Sequence, residues 1–145
     1  MVAGDDLERF VTAQEPVYPQ VLAELRRGRK TSHWMWFIFP QIAGLGHSPV
    51  SERYALRSLA EAQAYLAHPL LGGRLRECTG LVLEITGRTA EDVFGPIDGR
   101  KLRSCMTLFH RAAPDEAVFR EVLDRFGQTA DPLTDAILDG QSRAQ

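Results

Sequence analysis

The chain has 145 residues, 44% of them hydrophobic and 25% charged, with a net charge of −2 and a pI of about 6.1. That length suits one domain, and the composition excludes a disordered chain. No basic face dominates, which argues against wholesale binding of nucleic acid.

A chain this long buries roughly 70% of its unfolded surface, so its stability requires neither a metal nor a disulfide. Cys78 and Cys105 stand singly with no CxxC pair. Two isolated cysteines make no disulfide framework and point to a reduced, cytoplasmic setting. The start MVAGDDLERF is acidic where a secretory signal is basic and then apolar. The longest apolar run, Trp34 to Pro40, falls far short of the roughly 20 residues of a membrane span.

Helical periodicity runs through most of the chain. Leu7, Phe10, Val11 and Gln14 follow Asp5 and Asp6 on one amphipathic face. Pro16 separates them from a second helix carrying Tyr18, Val21, Leu22 and Leu25, which Gly28 is placed to stop. The basic run Arg26, Arg27, Arg29 and Lys30 has two readings. It is a solvated helix end, where cations are favoured, or an anion contact near the aromatic residues that follow.

His33 to Gly46, HWMWFIFPQIAGLG, holds both tryptophans of the chain and two of its seven phenylalanines. Aromatics carry large buried area, so Trp34, Trp36, Phe37 and Phe39 belong inside the fold or at a pocket. A lone strand here would have no partner, so the spacing predicts an extended or irregular buried stretch. In extended backbone Trp34 and Trp36 would share one side, with Met35 opposite. Gln41, Gly44, Gly46, His47 and Ser48 then add polar groups and adaptable backbone beside an apolar wall, as ligand sites do.

Ser58-Leu59-Ala60-Glu61 reads as a capping box opening a helix that ends before Pro69. Pro69 can start the next, with Leu71, Leu75, Cys78, Val82 and Ile85 on one side and Gly87 after it. Thr89-Ala90-Glu91-Asp92 caps a short turn into Phe94. Asp98 is placed to cap the next helix, with Leu102, Cys105, Met106, Phe109 and Ala113 facing inward and Pro114 closing it. A helix from about Glu116 to Phe126 should bury Phe119, Leu123 and Phe126. Asp131-Pro132 opens a last short helix through Leu138, and residues 141–145 read as a flexible tail. The expected fold is a single all-α domain over residues 1–140, of about seven helices around a buried irregular aromatic segment.

Familiar chemistry finds little support in the residues. Gly44-Leu45-Gly46 lacks the third glycine, the preceding strand and the acidic partner of a dinucleotide loop, but suits backbone that approaches something closely. His33, His47, His68 and His110 show no metal-ligand spacing, so no metal and no cofactor are expected. No GxSxG elbow supports a serine hydrolase. Glu61 and Glu84 are single carboxylates better suited to a cap or surface than to general acid work. Asp98, Lys101, Ser104 and Thr107 form the most suggestive polar set. They are a cap with a solvated face, or a flank where Lys101 meets an anion and Ser104 and Thr107 donate hydrogen bonds.

Several strings are specific: Ser32-His33-Trp34-Met35-Trp36-Phe37-Ile38-Phe39-Pro40-Gln41, Gly44-Leu45-Gly46 with Ser48, Arg53-Tyr54-Ala55, and Tyr65-Leu66-x-His68-Pro69. Asp98-x-x-Lys101-Leu102-x-Ser104-x-Met106-Thr107-Leu108-Phe109 completes them. With these the chain resembles an uncharacterised bacterial family, the domain of unknown function 1810 (DUF1810), from Asp6-Leu7-Glu8-Arg9-Phe10 to Asp131. The resemblance implies a small, helical, soluble protein and supplies no reaction. Members sometimes carry the label calpastatin, but calpastatin repeats belong to disordered chains and this composition is a packed globule's. A fainter likeness, through Glu61-Ala62, Met106-x-x-Phe109 and the helix Phe119 to Phe126, is to the NADAR-like helical N-glycosidases.

The residues leave three readings open. Trp34, Trp36 and Phe37 wall a pocket whose polar contacts are Gln41, Ser48, Lys101 and Ser104; its ligand is a nucleotide-like or other planar anionic metabolite, with glycosidic hydrolysis as the attached reaction. Alternatively, the aromatic segment is an interaction surface of a non-enzymatic adaptor. In the third, it is core with no site beside it. In the first reading Lys101 shares a cavity with Trp36 and Gln41.

Overall fold

The computed structural model describes residues 3–143, with side chains from Leu7 onward, and among them the fold is all-α with nine helices. These are α1 (Ala3–Gln14), α2 (Tyr18–Arg27), α3 (Met35–Ile38), α4 (Pro49–Arg53), α5 (Leu59–Ala67), α6 (Leu71–Glu84), α7 (Ala90–Ala112), α8 (Ala117–Arg125) and α9 (Pro132–Arg143). The count exceeds the sequence expectation because α3 and α4 are single turns too short to show a period.

α7 is the axis of the molecule; α5, α8 and α9 pack on it, and α6 packs against α2, α5 and α8. The inward residues Leu102, Cys105, Met106 and Phe109 are fully buried, as their spacing requires. One core joins them to Leu7, Phe10, Val21, Leu25, Leu75, Val82, Phe119 and Leu138. Phe109 stacks obliquely on Phe119 at 5.8 Å and on Tyr65 at 5.6 Å. Phe126 lies just past the C-terminus of α8 and is half-buried, not buried as expected.

Local chemistry explains most helix ends. Gly28 sits at φ 74° and closes α2. Ser58 caps α5 by accepting the Glu61 amide at 3.1 Å, while the Glu61 carboxylate reaches one residue further, to the Arg57 amide at 3.0 Å. Thr89 and Asp92 form a full capping box on α7. α6 begins at Leu71, not Pro69; His68 Nδ1 takes the Leu70 and Leu71 amides at 3.1 and 3.2 Å in place of a serine or aspartate. Gly72 is required there, since a Cβ would stand 2.0 Å from the Leu66 carbonyl oxygen.

Two departures bear on function. α7 bends at Gly95, φ 82° and ψ 166°, and resumes through Pro96. Asp98 therefore lies inside the resumed helix instead of capping it; its carboxylate meets Lys30 Nζ at 2.8 Å and Lys101 Nζ at 3.3 Å. The aromatic segment is a helical turn, not an extended stretch. Met35 and Ile38, three apart, turn inward with Trp34 and Phe39, leaving Trp36 and Phe37 partly exposed on the other side. α9 also runs past Leu138 to Arg143, where the Gln141 side chain donates to the Arg57 carbonyl at 2.8 Å. Met1, Val2 and the tail residues 144 and 145 lie outside the described residues.

Candidate functional site

Two buried polar side chains hold the aromatic turn. Glu24, fully buried on α2, accepts the amides of Thr31 and Ser32 at 2.7 and 2.9 Å, the Ser32 hydroxyl at 2.6 Å and Trp34 Nε1 at 3.0 Å. Burial alone raises a carboxyl pKa, but the donors from Ser32, Thr31 and Gln20 outweigh it and hold Glu24 at about 2. Gln14 of α1 reaches the far end, donating to the Phe37 carbonyl at 2.7 Å. With Trp34 latched and Phe37 tethered, Trp36 is left to face outward.

A cavity of about 530 Å3 opens there. One wall is the loop 41–46, held by the pairing of Ile42 with Leu56: the Leu56 amide donates to the Gln41 carbonyl at 2.8 Å and the Ala43 amide to the Leu56 carbonyl at 2.7 Å. Arg9 supports the chain that returns from this loop by donating to the carbonyls of Arg53 and Ala55 at 2.7 and 2.9 Å. Gly44 adopts φ 104°, and a Cβ on Gly46 would stand 2.7 Å from Ser51 Oγ, so this glycine pair serves close loop packing. α7 supplies Ile97, Arg100, Lys101, Arg103 and Ser104, and the start of α9 supplies Asp131 and Leu133.

A run of charges lies between two rings beside the cavity. Lys30 Nζ lies 5.0 Å from the Trp34 ring centre and Lys101 Nζ lies 4.2 Å from that of Trp36. Asp98 bridges the two lysines. The order Trp34, Lys30, Asp98, Lys101, Trp36 carries one net positive charge, partly exposed at the Lys101 end and buried at the Lys30 end. Of the basic run 26–30, only Lys30 reaches the aromatic turn; Arg26 and Arg27 lie exposed in the last turn of α2.

Trp36, Gln41, Lys101 and Ser104 thus line one cavity. Trp34, Phe37 and Ser48 do not. Trp34 is 1% exposed in the core, Phe37 packs on Tyr54 at 5.4 Å, and Ser48 is an exposed cap on the Ser51 amide of α4. Ser104 lies 3.1 Å from Asp131 Oδ2, which also takes the Thr134 hydroxyl at 2.6 Å and its amide at 3.2 Å. Thr107 accepts the Asp131 amide at 2.9 Å. Both hydroxyls of the suggestive polar set are therefore engaged in joining α7 to α9.

Arg100, Arg103, Ile97, Tyr54 and Leu133 also line the cavity, and the sequence did not single them out. Arg103 grips the Thr129 carbonyl at 2.6 Å and the Ala130 carbonyl at 3.1 Å, whereas Arg100 is exposed and donates its Nε to the Pro96 carbonyl at 3.2 Å. The signal for Arg100 was its place one residue before Lys101. Val50, Ile97 and Leu133 are the large hydrophobics left exposed among the described residues, at 42%, 64% and 66%. Ile97 and Leu133 stand in the cavity wall, and Val50 belongs to α4 next to the lining residues Ser51 and Glu52.

Elsewhere the polar residues have structural roles. Glu61 is 9% exposed and pairs with Arg9 at 3.6 Å besides its cap, so the N-glycosidase likeness brings no spare carboxylate to this position. Cys78 and Cys105 are free and buried, and burial pushes the Cys78 thiol up to about 12. Among the described residues no three His, Cys, Asp or Glu side chains gather as a metal site, and no helix is long and apolar enough to cross a membrane.

The chain is similar to known proteins over nearly its full length. It shares 56% identity with the conserved hypothetical protein Rv1873 from Mycobacterium tuberculosis, whose crystal structure superposes with a TM-score of 0.91 over 92% of this chain and 96% of that one. No curated protein matches it. The family described as a protein of unknown function, DUF1810, matches residues 4–138, and the chain belongs to that family.

Proposed function

We propose that this protein binds a small planar anion, nucleotide-like or similar, in the cavity of Trp36, Gln41, Lys101 and Ser104. The observation that carries the reading is Lys101 Nζ poised 4.2 Å from the Trp36 ring centre in a cavity of about 530 Å3. Ile42, Leu45, Tyr54 and Trp36 offer apolar surface to a ring. Arg100 and Lys101, adjacent on α7, offer the anion two cations. The setting is taken as cytoplasmic, in keeping with two free thiols.

Hydrolysis of a glycosidic bond requires an acid or base on the lining. The carboxylates there are Glu52 and Asp131, and Asp131 is committed to the cap of α9. Binding is therefore the stronger reading, with Glu52 the group to remove if turnover is found. The adaptor reading draws on Val50, Ile97 and Leu133 exposed around the same mouth. Leu133→Asp tests it: self-association at high concentration that this change abolishes favours an adaptor face.

The direct test is a thermal-shift screen against nucleotides and aromatic anions, since a ligand of the folded state raises the unfolding midpoint with concentration. For the best compound, Lys101→Ala should weaken binding by about 1–3 kcal/mol, as losing a charged hydrogen bond does. The substitution should cost folding under about 1 kcal/mol, because Lys101 is partly exposed. Unchanged affinity removes Lys101 from the site and the reading with it.

A further inference from the structure

The cavity of Trp36 and Lys101 has an order in depth. Ile42, 1% exposed, lies at its base, and Trp36, Leu45 and Tyr54 are partly buried above it. Lys101 comes next, with 22% of its side chain exposed, and Arg100 beside it is exposed. Ile97 and Leu133 stand outermost on the lining, at 64% and 66%. Lys101 is thus set between two apolar surfaces, one inside and one at the rim.

The register of α7 keeps these groups close. Ile97 and Lys101 are four residues apart, so their side chains start about 6 Å from each other on one helix face. Ser104, three residues further, continues that face to Asp131 Oδ2 at 3.1 Å, and Leu133 follows two residues later. A lone exposed aliphatic side chain is ordinary on a protein surface. Here two of the three large hydrophobics left exposed among the described residues flank one cation at one cavity.

Charge narrows the occupant. Arg100, Lys101 and Arg103 line the cavity against Glu52 and Asp131, leaving one net positive charge. A monoanion balances that charge. A phosphate monoester carries about −1.5 to −2 at neutral pH and would overshoot it beside two carboxylates.

We infer that the cavity selects a monoanion whose charge sits mid-molecule, between a flat ring on Trp36 and an apolar group laid on Ile97 and Leu133, as in an aryl phosphodiester. This rests on the anion reading above and adds to it the single charge and the outer group. Leu45 and Tyr54 cover the inner ring, Lys101 and Arg100 meet the anion, and the rim loses its exposed apolar surface to the outer group. A second copy of the chain is the competing occupant of the rim.

Calorimetric titration of the whole protein compares 4-nitrophenyl phosphate, methyl 4-nitrophenyl phosphate and bis(4-nitrophenyl) phosphate. All three carry the same inner ring. The two diesters are monoanions, and the bis ester alone has a ring for the rim. The bis ester should bind about tenfold more tightly than the methyl ester, as partial burial of exposed aliphatic side chains provides. The monoester should bind no more tightly than the methyl ester. Ile97→Ser combined with Leu133→Ser should bring the bis ester down to the methyl ester and leave the methyl ester unchanged. Both positions are exposed, so the fold should tolerate the pair; should it not, at least one single change must remove the advantage. Lys101→Ala should weaken all three probes. The inference alone is overturned if the two diesters bind equally, if the monoester binds most tightly, or if the advantage survives the rim changes. If none of the three binds, the anion reading falls and the inference with it. Sedimentation of the free protein decides the competing occupant. A dimer that Leu133→Ser dissociates gives the rim to a second copy and overturns the inference; a monomer, or a dimer indifferent to that change, supports it.

Discussion

Glu24→Gln tests whether a buried carboxylate organises the aromatic turn. Glu24 is 0% exposed and receives donors from Gln20, Thr31, Ser32 and Trp34. Glutamine keeps the shape but gives one arm donors of its own, which then confront donors. Those bonds take the carboxyl from its ordinary 4.5 to about 2. At about 1.4 kcal/mol per decade this is about 3 kcal/mol of stability. The sign follows from the depressed folded pKa: the contribution is complete above 4.5 and disappears as pH falls toward 2. In urea unfolding, the wild type should exceed Glu24→Gln by about 3 kcal/mol at pH 7, and the gap should close between pH 4.5 and 2. A gap under about 1 kcal/mol at pH 7, or one that does not narrow in acid, refutes the reasoning.

Other substitutions probe the packing around the site. Phe119→Ala, at a fully buried ring against Phe109, should cost about 3–5 kcal/mol in denaturant unfolding, and a cost below about 1 would unseat the α8 face. Gly72→Ala would gain about 1 kcal/mol on an open helix, but with the Leu66 carbonyl 2.0 Å from the new Cβ it should lose about 1–3 instead; a raised unfolding midpoint would show that the contact relaxes. Iodide should quench one tryptophan and spare the other, and Trp36→Phe should remove the quenchable component; equal quenching of both would contradict the burial of Trp34.

The sequence carried the periodic parts of the fold and the caps. Leu102, Cys105, Met106 and Phe109 had to face inward because 3.6-residue spacing leaves them one side of a helix. Ser58, Thr89, Asp131 and Gly28 act where their chemistry places them. The aromatic turn misled because four residues are too few to distinguish helix from strand, so Trp34 and Trp36 were given the same side when they have opposite fates. Asp98 looked like a cap by its neighbours, yet it pairs with Lys30, remote in sequence and brought close where the Lys30 amide donates to the Val93 carbonyl of α7 at 2.8 Å. The cavity was half legible. Trp36, Gln41, Lys101 and Ser104 converge, but Ile97, Arg100 and Leu133 join them only because the Gly95 bend and the docking of α9 bring them to the same mouth.

The fork at Asp98 sets the terms on which an anion could settle beside Lys101. In most ion pairs, drawing the cation away strands the carboxylate, and a newcomer must overcome that loss. Here Asp98 keeps Lys30 at 2.8 Å when Lys101 turns elsewhere. The longer contact, 3.3 Å, is the one that would yield. Lys101 is thus a cation on loan, restrained over Trp36 while unused and released without leaving a buried negative charge behind. Removing Lys30 instead would tie Lys101 to Asp98 and dull the mouth of the cavity from a residue that never touches it.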